Sequence, residues 1–346
     1  MIGGGSYPRV TVLKGSYYDI GFRMGRALRG LQVPPADEEA LRLARGCEDL
    51  VSEICPSILD KVEGMVEGGE FDSRDFKAFF YARDATPQAG CTNLAVMPSY
   101  TKDGSLIVAR NYDWYYHSEQ WRAVREVAPD SGHRSLRITH HWAGSPDGLN
   151  DRGLGVFLAV LVRRPSAGPG LQWHVVTDIL LDTCGDVQEA CDLITSVPHL
   201  GAFNYLLADR HGRALVAETL PAGVTIREPQ GGFILATNHL PGRESPEERL
   251  SPEDRGRQRR SLARYRRAEE MLRGKRGLVD EAMVRRLLRD HQAPICRGSH
   301  DPPEDGRTYD DVFGTIWSLF AGLEKRELRV AWGHPCRSDY RGYALS

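Results

Sequence analysis

"CTNLAVMPSYTKDGSLIVARNYDW", residues 91–114, decides the fold. Two runs rich in β-formers flank the turn residues Lys102, Asp103 and Gly104, the pattern of an antiparallel hairpin. With a reflection point near Lys102 and Asp103, Cys91 faces residues 113 to 115 on the returning strand. Asp113 and Trp114 then lie beside the thiol, and Arg110 one pleat away. A cysteine nucleophile needs its thiolate, which needs positive charge or a base nearby, and this hairpin brings both signs of charge to one thiol. The same residues also read as a small buried hydrophobe and a structural ion pair.

Upstream, the chain is mostly helical for about 85 residues. "RVTVLKGSYYDIGFRMGRALRGL" predicts a short strand and then a helix whose Gly21 and Gly25 share one face. Helical patterning runs from Glu38 to Val66, Asp72 and Ser73 offer N-cap oxygens to the next helix, and Pro87 is expected to stop it. Downstream, "LGVFLAVLV" suits a strand covered on both faces. Helices are expected across "VTDILLDTC" and "DVQEACDLITSV", then a meander through "FNYLLAD", "ALVAETL" and "GGFILATNH", then helices over 254–273 and 280–291. The strands "GTIWSLFAG" and "ELRVAWG" close the chain. Strands in runs and helices in blocks predict an α+β layered fold rather than alternating βαβ units. No repeat or low-complexity segment interrupts it.

Composition narrows the partners. The chain has 346 residues, 41% hydrophobic and 27% charged, with a formal net charge of -2. Nothing in that balance favours nucleic acid or an anionic membrane. The basic stretch "RGRQRRSLARYRRAEEMLRGKRG" follows the acidic "ESPEERLSPED", and reads as a solvated helix face with one arginine turned inward rather than a nucleic-acid surface. No apolar run reaches the roughly 18 residues of a membrane span, and "MIGGGSYPRV" lacks a secretory layout, so a cytoplasmic location is expected. The "GGG" at 3–5 reads as a flexible end. Seven cysteines, scattered and without a C-x-x-C pair, argue against a disulfide framework and a structural zinc site. No metal or cofactor is expected.

The thiol still needs a base. Among the histidines, His117, His174 and His239 have no spacing that recommends one, and His140 and His141 read as pointing to opposite faces of a strand. A cut between Gly90 and Cys91 would supply a base differently. The new α-amino group, of unperturbed pKa about 7.7–8.0, would sit on the nucleophile's own residue. Gly90 leaves its carbonyl open to the thiol and tolerates a strained backbone.

These residues resemble the penicillin acyltransferase family of N-terminal-nucleophile hydrolases, related to bile salt hydrolases and acid ceramidase-like amidases. The resemblance is carried by "GSYYDIGFRMGRAL", "GCTNLAV", "ARNYDW", "DGLNDRGLGV", "ATNHLP", "SLARYRRAEEML", "DHQAPICRGSH", "TIWSLF" and "AWGHPC", in order along the chain. It implies a four-layer αββα sandwich with a mainly helical N-terminal pro-segment, self-cleaved into segments 1–90 and 91–346 that remain an α/β heterodimer. It implies Cys91 as nucleophile, Arg110 and Asp113 as the pair that orients thiol and amine, Asn238 as an oxyanion donor, and Arg264 as the arginine completing the polar site, with Arg260 and Arg266 as neighbouring alternatives. In the bile salt branch a second asparagine follows the "N-x-x-G-L" element by about ten residues. Here that element starts at Asn150 and the matching place holds Val160 and Leu161, which argues for the acyltransferase branch. Asn150 itself reads as a turn residue, with a direct catalytic role as the alternative.

The expected function is thus an autoproteolytic cysteine amidohydrolase or acyltransferase, acting on linear amide bonds of an N-acylated small molecule through an acyl-thioester, with acyl-coenzyme A as a possible donor. Trp114 and Tyr115 are expected to line the substrate site, with core packing the alternative. An uncleaved cysteine amidase or thioesterase, or a silent relative that binds an acylated small molecule, are the other readings.

Overall fold

The structure, a computed structural model, describes residues 8–82, 90–161, 168–244, 250–298 and 313–345. Pro87 and the 3–5 glycines lie outside them. The N-terminal segment forms β1 (Val10–Gly15), α1 (Tyr17–Ala27), α2 (Glu38–Ile54), α3 (Ser57–Gly69) and α4 (Ser73–Tyr81). The helical patterning over 38–66 resolves into two helices. Pro56 has no N–H to continue the ladder, so α2 ends at Ile54 and α3 begins after the proline. Asp72 caps α4, its carboxylate accepting from the Asp75 N–H at 2.9 Å. The shared face of Gly21 and Gly25 is spent on contact with α3. A Cβ on Gly21 would lie 1.9 Å from the Lys61 carbonyl oxygen, and one on Gly64 2.2 Å from that of Tyr18, so the two backbones touch.

The hairpin is β2 (Thr92–Val96) and β3 (Ile107–Tyr115). After it come β4 (Ala123–Pro129), β5 (Ser135–Thr139), β6 (Asp147–Asn150), β7 (Leu154–Val160), α5 (Trp173–Thr183) and α6 (Val187–Ser196). The meander follows as β8 (Phe203–Asp209), β9 (Ala214–Leu220), β10 (Gly223–Arg227) and β11 (Phe233–Ala236). The chain ends with α7 (Pro252–Leu272), α8 (Glu281–Leu288), β12 (Phe313–Gly322), β13 (Glu327–Trp332) and β14 (Tyr340–Ala344).

Two sheets result. One runs β1-β4-β5-β6-β7-β8-β9-β10, the other β11-β2-β3-β12-β13-β14. Period-two alternation then sorts the side chains into layers. Leu154, Val156 and Leu158 of β7 face Val62, Met65 and Ile179 of the helices, while Phe157 and Ala159 face inward. From the second sheet, Cys91, Ala95, Val108, Tyr112 and Trp317 meet that inward face. Its other face, with Leu94, Ala109 and Phe320, packs on Ala268, Leu272, Val284 and Leu287 of α7 and α8. The order of layers is therefore helix, sheet, sheet, helix. β7 is buried along almost its whole length, as its unbroken apolar run predicts.

The N-terminal segment is built into this body. β1 pairs in parallel with β4, from Val10 opposite Val124 to Gly15 opposite Pro129. A buried ion network joins the same parts. Lys61 of α3 and Arg137 of β5 both hold Asp178, Arg137 also holds Asp182 at 2.5 Å, and Tyr17 donates to Asp182 at 3.2 Å. Among the described residues no helix is long and apolar enough to cross a membrane.

Candidate active site

Cys91 precedes β2 by one residue and is almost fully buried. The connection of the hairpin is longer than the KDG turn, since Val96 pairs with Ile107. Thr92 pairs with Asn111, so Cys91 continues the register to Tyr112 rather than to 113–115. Arg110 and Tyr112 share the inward face with the thiol, while Asn111 and Asp113 point to the helix layer. The nucleophile candidate is thereby flanked from both sides of its own sheet.

On the inward side, Arg110 is completely buried and forms an ion pair through Nη1 with Asp147 of β6, in the other sheet. The second oxygen of Asp147 accepts from the Trp317 indole N–H at 2.8 Å. The guanidinium also lies 4.8 Å from the centroid of the Tyr112 ring, which stacks on Trp317 at 4.1 Å. Burial opposes the Arg110 charge most strongly, but Asp147 together with Cys91 and Tyr112 more than offsets it and the pKa rises, so a fixed cation acts on Cys91. Nε and Nη2 of Arg110 have no hydrogen-bond partner among the described residues.

On the helix side, α7 carries a long basic surface and turns Arg264 inward, while Arg260 and Arg266 stay exposed. That is the inward arginine the sequence anticipates. Arg264 Nη1 donates to the Cys91 carbonyl oxygen at 2.5 Å and to Thr92 Oγ1 at 3.2 Å, and its Nη2 to Asn238 Oδ1 at 2.9 Å. The same Asn238 oxygen accepts the Cys91 backbone N–H at 2.8 Å. Asn238 Nδ2 donates to the Val160 carbonyl at 2.8 Å. One of its two amide hydrogens is therefore committed, and one remains for a carbonyl oxygen. The Leu161 N–H is committed to Ala202.

Asp113 lies opposite Thr315 of β12 and accepts its hydroxyl at 2.7 Å. Its other oxygen has no partner among the described residues and points at Gly90: a Cβ there would sit 2.9 Å from that oxygen, 3.0 Å from Arg297 Nη1 and 3.2 Å from the Phe313 ring. Any larger residue at position 90 displaces the carboxylate. Burial pushes the Asp113 carboxyl up to about 6, against the pull of Arg264, Arg297, the Thr315 hydroxyl and Arg110. Burial likewise pushes the Cys91 thiol up, opposed by Arg110, by an N–H from the Asp113 backbone and by Arg264. The thiol is therefore protonated in the uncut chain, and its ionisation awaits a proton acceptor.

The other sequence candidates have structural employment. Asn150 donates to the carbonyls of Leu181 and Cys184 and accepts from the N–H groups of Arg152 and Leu154, which makes it a turn residue. His239 shares hydrogen bonds with Thr237 and Ser261, and burial lowers its pKa to about 4. His140 and His141 do not diverge across a strand. β5 stops at Thr139, whose hydroxyl accepts the His141 N–H in a turn, and both rings approach the Tyr112 hydroxyl, at 3.0 and 3.1 Å. Trp114 packs half-buried on Tyr112, His140 and His141, while Tyr115 meets Phe313 beside Gly90. Arg297, Asp147 and Thr315 are not among the residues that the sequence singles out. Each stands inside a quoted motif ("DHQAPICRGSH", "DGLNDRGLGV", "TIWSLF"), but only packing shows that they face the hairpin.

Four layers in the order helix, sheet, sheet, helix are the architecture of the N-terminal-nucleophile hydrolase fold. The particular assignment comes from sequence. The profile of the acyl-coenzyme A:6-aminopenicillanic acid acyl-transferase family matches residues 99–337, and the chain belongs to that family. It is accordingly an enzyme of amide hydrolysis or acyl transfer. Among solved structures it is similar to penicillin V acylase from Agrobacterium tumefaciens, at 15% identity over 70% of this chain and 82% of that one, TM-score 0.45. It is similar to a mutant of conjugated bile acid hydrolase from Clostridium perfringens, at 12% identity over 74% and 97%, TM-score 0.45. The Caenorhabditis elegans ortholog of N-acylethanolamine-hydrolyzing acid amidase aligns at 13% identity over 67% and 93%, TM-score 0.45. No curated protein matches the chain.

Proposed function

We propose that the chain cuts itself between Gly90 and Cys91 and that Cys91 then works as an N-terminal nucleophile on the amide bond of an N-acylated small molecule. One observation carries the reading. Both backbone polar groups of Cys91 are held by side chains, the N–H by Asn238 and the carbonyl by Arg264, none of which is lost when the preceding bond breaks. In maturation the thiol adds to the Gly90 carbonyl and the C–N bond breaks. The nitrogen takes up a proton to become the α-amine, and water then cleaves the thioester to free Gly90 as a carboxylate. In turnover the same thiol forms an acyl-thioester with the substrate, the α-amine carries the proton to the departing amine, and water or a second amine accepts the acyl group. Asn238 offers its remaining amide hydrogen to the oxyanion, and Trp114 and Tyr115 flank the acyl chain. A coenzyme A thioester could load the same cysteine. Segments 1–90 and 91–346 stay together after the cut, because β1 is a sheet strand and the Lys61–Asp178 pair spans the two.

Intact mass of the purified protein under denaturing conditions tests this directly. Chains of residues 1–90 and 91–346 are expected, and a single uncut chain in active enzyme would transfer the function to the uncleaved amidase reading.

A pH dependence follows from Asp113. Its folded value of about 6 lies above the ordinary 3.8, so the folded protein holds a proton there that the unfolded chain has released. The stability this contributes is full below pH 3.8 and is lost as pH rises through about 6. Self-cleavage runs the other way, since the thiol of the uncut chain needs a proton acceptor and the charged carboxylate is the one beside Gly90. The rate of self-cleavage is expected to climb through about pH 6, and Asp113→Asn to remove that acidic limb. An unchanged limb in the variant would show that another group controls it.

A further inference from the structure

Two segments beside the site, the 290–298 stretch after α8 and the turn between β13 and β14, meet at three side chains that the proposed chemistry does not use. Cys296 Sγ lies 3.6 Å from Cys336 Sγ, and a ring nitrogen of His291 lies with both sulfurs inside 4.8 Å. Cys296 is buried, Cys336 partly so, and His291 faces solvent.

The approach is built by the framework on both sides. Asn111 of β3 donates to the carbonyls of Leu288 and Ile295, at 2.8 Å each. The Cys296 N–H bonds the Asp290 carbonyl at 2.9 Å, and the Asp290 side chain is held by Arg267. Arg289 Nε reaches the Pro335 carbonyl at 2.8 Å and joins the two segments next to the sulfurs. The Cys336 backbone N–H is directed at Cys296 Sγ, the kind of outer contact that steadies a metal-bound thiolate.

We propose that His291, Cys296 and Cys336 form a zinc site, completed by water, that pins the segment carrying Arg297 to the β13–β14 turn. Tetrahedral zinc with Zn–S of about 2.3 Å and Zn–N of about 2.0–2.1 Å sets sulfurs about 3.8 Å apart and each about 3.6 Å from the nitrogen. The sulfurs need to move by a few tenths of an ångström, and the exposed ring of His291 by about 1 Å. Two thiolates and an imidazole form a set for zinc rather than for hard cations such as magnesium or calcium. On binding, Zn2+ replaces the two thiol protons, which pass to solvent, so the centre carries no net charge. The linear spacing, which argues against a structural zinc site, conceals this set: the two cysteines are 40 residues apart and meet only in the fold. The consequence for the active site is positional, because Arg297 follows Cys296 directly and its guanidinium stands against Gly90 and Asp113.

The test uses the full chain, stripped with a chelator under reducing conditions and dialysed against Zn2+ alone. About one zinc per chain is expected, retained in Cys91→Ala and reduced to less than about a tenth in the Cys296→Ser/Cys336→Ser double variant. His291→Ala alters an exposed side chain, so it leaves the core intact, and is expected to weaken zinc binding at least about tenfold. Cobalt in place of zinc should show thiolate-to-metal charge transfer that weakens in each single Cys→Ser variant. Three outcomes overturn the proposal: no zinc above the level of the double variant, zinc fully retained in the double variant, or a Cys296–Cys336 disulfide in the protein as purified. A disulfide would require the sulfurs to close from 3.6 Å to about 2.05 Å and an oxidant to take two electrons.

Discussion

Cys91→Ala is expected to yield a folded, uncut chain whose amide turnover is lower by roughly four to six orders of magnitude, the scale at which removal of a nucleophile is felt. Alanine keeps the Cβ and the backbone, so the Asn238 and Arg264 hydrogen bonds to residue 91 survive. The lost sulfur is a small volume in a packed layer, and the stability cost should stay within about 1–2 kcal/mol. Loss of both cleavage and turnover with a near-normal melting temperature therefore assigns the thiol to the chemistry. Cleavage after residue 90 that persists in the variant would assign it to another protease. Turnover that persists would remove Cys91 from the mechanism altogether.

Arg110→Met is expected to be the most destabilising single change in the site, costing about 3–5 kcal/mol, because it leaves the Asp147 carboxylate completely buried without its cation. Pairing it with Asp147→Asn removes the stranded charge and keeps an acceptor for the Trp317 N–H. The double variant should regain most of the stability, as neutral replacements of buried ion pairs often do. Self-cleavage and turnover should stay lost, since the positive charge that favours the thiolate is absent. Chemical denaturation gives the stability and intact mass gives the cleavage. A double variant that cleaves normally would reduce Arg110 to a structural partner, and a single variant that loses less than about 1 kcal/mol would mean that Asp147, whose carboxyl burial already pushes up to about 6, takes up a proton and sheds its charge.

Much of this architecture was legible in the chain. The alternation around residues 91–114 has one solution as a hairpin, and the unbroken apolar run of β7 fits only a strand covered twice. Arg264 could be singled out from a helix full of arginines because the motif around it is shared with a family, and the structure buries it while its neighbours stay in solvent. Local patterning failed where the deciding contact was remote or a single residue broke the rule. Pro56 divided one helical run into two, and the turn at Thr139 brought His140 and His141 to the same hydroxyl.

What the sequence determined by itself was the α+β class, the hairpin, the cysteine at its head and the arginine and aspartate on its return strand. Those depend on periods of two and 3.6 residues, which are local. What only the tertiary structure decided was how charge is arranged around the thiol. Asp147 comes from the opposite sheet, 37 residues from Arg110, and Thr315 from a strand 202 residues from Asp113. Arg297 reaches the site from a loop fixed by Asn111, and Cys296 on that loop meets Cys336 from the β13–β14 turn. Such contacts have no period to betray them, because they are set by which sheet faces pack together and not by spacing along the chain.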